Sequence, residues 1–134
     1  MAIDTQARIE NSQKADDRPI ALLSALTLAN RERGAWLADA ACATIEDPSI
    51  FYSSNQRELA QAVSICGNCH CAQVCLYEGM AHSWGTVDFY GVRAGMSAKA
   101  QKELSRTLTA EEVGSRLETA LWRGGYVELA EVLG

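Results

Sequence analysis

The chain has 134 residues, five cysteines and a formal net charge of −5. That length suits one small domain with tails, and no apolar run approaches the ~20 residues of a membrane span. No segment is a basic tract, which argues against a strong, independent DNA binder that neutralises many phosphates.

Residues 1–17 are polar and aperiodic and read as a disordered tail. The start, Met1-Ala2-Ile3-Asp4, lacks the charged and apolar regions of a secretory signal. The expectation is a cytoplasmic chain whose cysteines stay reduced and open to metal. A helix is predicted from about Pro19, which is acceptable at a first helical position, through Leu26. Gly34 weakens it ahead of Ala35-Trp36-Leu37. Asp47-Pro48 marks a turn after Cys42. Ser54-Asn55 can cap a helix over Gln56–Ile65, with Leu59, Ala62 and Val63 as its apolar stripe. A further helix is expected over Ala72–His82, and glycines 85, 91 and 95 break the chain after it. Thr86–Tyr90 is a weak strand candidate. Ser97 caps a helix over Ala98–Arg106, and Thr109-Ala110-Glu111-Glu112 is a capping-box pattern opening another. Gly124-Gly125 ends that one, and Tyr126–Leu133 is a last short helical stretch. The fold class is therefore all-α, with a core domain over 18–106 and an acidic helical extension over 107–134, where two basic groups face five acidic ones.

Cys42, Cys66, Cys69 and Cys75 follow the pattern C-x23-C-x2-C-x5-C. The C-x2-C pair puts two thiolates on one side of a site, and Gly67-Asn68 between them suits the tight turn. Four thiolates at this spacing suit either tetrahedral zinc or an iron–sulfur cluster. Zinc in a structural interaction module is the first alternative. A thioredoxin-like oxidoreductase is the second, although it needs a strand–helix context that is missing here. Cys71 lies four residues before Cys75 and would share its helix face, as a buried residue or a substitute thiol. His70 reads as exposed, and His82 has no evident partner.

These residues resemble the WhiB-like family of actinobacteria and their phages, over roughly residues 36 to 106. Asp47-Pro48-Ser49-Ile50-Phe51-Tyr52 is similar to the family's Asp-Pro-x-Leu-Phe-Phe stretch. Gly91-Val92-Arg93-Ala94-Gly95 stands where the family has Gly-Val-Trp-Gly-Gly. The resemblance implies a non-enzymatic transcription regulator with a 4Fe–4S cluster on Cys42, Cys66, Cys69 and Cys75, open to redox or nitric-oxide sensing. It also implies docking on region 4 of the principal sigma factor, and so on RNA polymerase, through Trp36, Phe51 and Tyr52 beside the cluster. The turn with Gly91, Arg93 and Gly95 belongs to the same candidate partner surface; Arg93 is placed to meet an anionic partner or to pair with Asp88. The family's basic C-terminal tail is absent. Lys99, Lys102 and Arg106, at i, i+3 and i+7, form a stripe that offers only weak phosphate contact, so DNA would be reached mainly through the partner.

Overall fold

The computed structural model describes residues 18–86 and 89–133. The tail read over residues 1–17 and the Asp88 partner considered for Arg93 lie outside them. Helix α1 (Ile20–Arg31) starts one step later than read, with Pro19 at its N-cap. Leu22, Ala25, Leu26 and Ala29 are its buried residues, a stripe at helical spacing that faces the core. The break expected at Gly34 comes earlier, at Glu32, and Gly34 lies inside α2 (Arg33–Ala38). The Trp36 side chain explains this. In an unbroken helix the Ala29 carbonyl would face the Arg33 N–H; instead it accepts the Trp36 indole N–H at 2.9 Å. The fold-back buries Trp36 to 2% exposure.

Two 3-10 turns follow, Ala41–Thr44 with Cys42 and Pro48–Tyr52 with Phe51. Asp47 starts the second by accepting the Ser49 N–H at 3.1 Å, and Pro48 fits the first position, where no N–H is needed. The Asn55 side chain accepts the N–H groups of Arg57 and Glu58 and so opens α3 (Gln56–Cys66). Of its expected stripe, Ala62 is buried and Leu59 half-buried, but Val63 is exposed. Helix α4 (Ala72–His82) has the bounds that the spacing predicted, and it is buried almost all round, from Val74 to Ala81 apart from Cys75, which is half-buried.

Helix α5 (Ala98–Ser105) is capped by Ser97, whose hydroxyl accepts the Ala100 N–H. Thr109 and Glu112 complete the reciprocal capping box of α6 (Ala110–Arg123). The last helix, α7 (Leu129–Leu133), is shorter than the stretch read from Tyr126. Tyr126 donates its hydroxyl to the Asp39 carboxylate at 2.7 Å and Val127 is buried, so both pack rather than extend the helix. No strand forms among the described residues, which hold one isolated bridge between Arg93 and Met96. The strand candidate Thr86–Tyr90 is not a strand at its described members, and Val87 lies outside the description with Asp88.

The main core joins α1, α4 and α6 through Leu22, Leu26, Met80, Val113, Leu117 and Leu121. The segment read as an extension thus shares the core of α1. Helices α1 and α6 pack so closely that a Cβ on Gly114 would lie 2.6 Å from the Ala21 carbonyl oxygen. A smaller cluster holds Ile50, Phe51, Ala62 and Val92. Among the described residues no helix is long and apolar enough to cross a membrane.

Candidate metal centre

All five cysteines line one cavity of about 240 Å³. Cys42 comes from the first 3-10 turn, Cys66 ends α3, Cys69 sits in the connecting loop, and Cys71 and Cys75 bracket the first turn of α4. The loop is tight: the Cys69 N–H donates to the Cys66 carbonyl at 3.1 Å. Gly67 has an ordinary φ of −61°, so its value here is room, since a Cβ would lie 3.2 Å from the Ser64 carbonyl. Cys69 and Cys71 approach to 3.6 Å between sulfurs. Even so, among the described residues no three His, Cys, Asp or Glu side chains converge closely enough to hold a metal ion between them. The thiols ring a space; they do not meet at a point.

The turn over residues 91–95 closes one side. Arg93 and Met96 exchange backbone hydrogen bonds of 3.0 and 2.8 Å, and Ala94 and Gly95 between them have φ of 53° and 77°. Two consecutive positive φ values are the signature of a tight hairpin turn that favours glycine. The N–H groups of Gly95 and Ala94 in this turn act to lower the Cys66 thiol pKa. Gly91 allows the Tyr52 ring to come close, where a Cβ would stand 2.7 Å from it, and the Val92 N–H donates to the Phe51 carbonyl at 2.8 Å. Arg93 does not point outward. Its Nη1 donates to the Cys75 carbonyl at 2.8 Å and to Glu78 Oε1 at 3.2 Å, and lies 3.8 Å from the Cys75 sulfur. Its partner is Glu78, 1% exposed, which also lies 3.6 Å from Arg33 and whose Oε2 makes no hydrogen bond.

The family model described as transcription factor WhiB matches residues 36–104, more than half of the chain. The chain belongs to the WhiB family. No curated protein and no solved structure matches it. WhiB proteins are iron–sulfur transcription factors, and the matched span runs from Trp36 into α5, taking in every cysteine and the glycine turn. Helices α1 and α6 lie outside it.

The residues of this WhiB cavity suit a thiolate-bound, anionic centre. The donors are soft sulfur ligands, and Arg33 and Arg93 outweigh Glu78 in the wall. Burial pushes the Cys75 thiol up to about 11, against the pull of the Arg93 guanidinium. Burial and the neighbouring Cys69 push Cys71 up to about 12. Burial also raises Cys66, although the Gly95 N–H works in the opposite direction. A metal entering here must displace protons from these thiols.

The remaining sequence-predicted residues fall into two groups. Trp36 and Phe51 are buried walls of the cavity, whereas Tyr52 is 70% exposed at its mouth. Lys99, Lys102 and Arg106 stay on one side of α5 and its C-cap, without a carboxylate in ion-pair range among the described residues. Sequence reasoning missed Leu37 and Tyr90 at the mouth and Arg33, Glu78 and Gly79 behind Cys75. A glycine inside an apolar helix was the one available signal for the last group.

Proposed function

We propose that this WhiB protein carries a 4Fe–4S cluster on Cys42, Cys66, Cys69 and Cys75 and regulates transcription by docking on region 4 of the principal sigma factor. The observation that carries this reading is the one cavity that all five cysteines line, inside the span that the family model matches. Four soft thiolates suit zinc as well as a cluster, and membership of an iron–sulfur family favours the cluster. When bound, an iron–sulfur cluster supplies both cross-links and a redox couple. Cys42, Cys66, Cys69 and Cys75 would tie the first 3-10 turn, the end of α3 and the start of α4 together, which couples loading to folding of this face. Cys42 is exposed, so dioxygen or nitric oxide can reach the site, which supports a sensing role. The 3.6 Å approach of Cys69 and Cys71 favours a second reading for the cluster-free chain only, as a thiol pair that exchanges with disulfides.

Docking draws support from the mouth of the cavity, where Leu37, Tyr52 and Tyr90 are exposed large side chains. Trp36 and Phe51 back this rim from inside, and Gly91, Arg93 and Gly95 shape the turn beside it. Exposed aromatics next to a rigid site are the residues that anchor protein interfaces. Co-purification with sigma region 4 tests the docking. Tyr52→Ala should weaken it about tenfold with iron content unchanged. Trp36→Ala should instead destabilise the fold by about 3–5 kcal/mol. If Tyr52→Ala and Tyr90→Ala both keep full iron and full sigma binding, this surface is not the docking face.

A further inference from the structure

On another side of α4 lies a second concavity, of about 380 Å³, between α4 and α6. Arg116 and Arg123 stand in its lining with the polar groups of Gln73, Tyr77, Ser115 and Thr119, and with no carboxylate. This is unusual for a chain with 17 acidic and 12 basic residues. The ion pairs among the described residues engage Arg31, Arg33 and Arg93; Arg116 feels the Glu112 carboxylate one turn earlier without an ion-pair contact, and Arg123 has no carboxylate in ion-pair range among the described residues. We propose that this groove binds a small phosphate-bearing anion, held by Arg116 and Arg123.

The two arginines are seven residues apart on one helix, so they lie two turns apart on the same face. Arg116 is held in place: its Nη1 donates to the Tyr77 hydroxyl at 3.1 Å and its guanidinium lies 5.8 Å from the Tyr77 ring centre. Arg116 and Arg123 present planar, permanently charged forks and Ser115 and Thr119 add hydroxyls to the lining, the donor types that phosphate oxygens accept from. The volume is in the range of small-molecule pockets. Duplex DNA is a poor match, because two cations release few counterions. His70 lies between Cys69 and Cys71, which line the metal cavity. One loop therefore forms a wall of both sites.

The test is calorimetric titration of the full chain, purified anaerobically, with inorganic pyrophosphate and with a nucleoside triphosphate. Saturable binding of either probe is expected, about tenfold weaker in Arg123→Gln and lost in Arg116→Gln/Arg123→Gln. Arg57→Gln, an exposed cation on α3, should leave it unchanged. Arg123 is exposed in the last turn of α6, so Arg123→Gln decides the matter if the double variant loses helicity. No saturable binding by the wild type, equal binding by Arg123→Gln, or binding to duplex DNA with none to either probe would each overturn the proposal.

Discussion

Around Cys75 several side chains depend on one another. A Cβ on Gly79 would lie 2.7 Å from Arg93 Cδ, so the arginine reaches Glu78 only across a bare backbone. Removing one partner of a buried pair leaves the other charge without compensation, typically at about 3–5 kcal/mol. Arg93 keeps 32% of its side chain exposed and Arg33 stays near Glu78, so Arg93→Met should cost less, about 2 kcal/mol. Urea denaturation measures this, and Arg93→Met/Glu78→Met should recover much of the loss. A single variant as stable as wild type would mean that the pair does not support the fold. Ala94 is a second local case. At φ 53° a side chain is strained, so Ala94→Gly should stabilise the chain by about 1 kcal/mol in the same assay; a loss would show that the turn does not hold this conformation. The glycine turn and the Cys66–Cys75 cluster were legible in the sequence because their spacing is local, whereas Cys42 joins the same cavity from a separate 3-10 turn. The Arg93–Glu78 pair was not, because Glu78 is brought to Arg93 only by the packing of α4 under the turn.

At the scale of elements, caps were the most readable signals. Asn55, Ser97 and Thr109 all accept the N–H groups that their positions implied, because a cap needs only residues a few steps away. Tertiary contacts decided the rest. The α1–α2 break follows the Trp36 indole to the Ala29 carbonyl, and Val63 is exposed although it matches the helical period. Gly114 gives the most direct test of helix packing. Helix propensity alone favours alanine there by about 1 kcal/mol. The 2.6 Å approach to the Ala21 carbonyl predicts the opposite sign, since overpacking costs about 1–3 kcal/mol. Thermal melts of Gly114→Ala should therefore shift downward. An upward shift would mean that α1 and α6 are not in such close contact.

For the whole molecule, the family match covers residues 36–104 while α1 and α6 complete the core from outside it. Helix α6 looked like an acidic appendage because Glu111 and Glu112 are its exposed start; its apolar stripe of Val113, Leu117 and Leu121 faces inward. The net charge of −5 and the short Lys99, Lys102 and Arg106 stripe offer little phosphate neutralisation. The isolated chain should bind duplex DNA weakly and without sequence preference at physiological salt. A tight, sequence-specific gel shift by the chain alone would contradict that and direct attention to those three side chains.

The proposed function stands on four of the five thiols around one cavity holding an iron–sulfur cluster. Iron, zinc and acid-labile sulfide analysis of the anaerobically purified chain tests it most directly. About four irons and four sulfides per chain are expected, retained in Cys71→Ala and lost when Cys42, Cys66, Cys69 or Cys75 is singly replaced by alanine. A colourless protein with one zinc, or a cluster that survives loss of one of the four but not loss of Cys71, would contradict it.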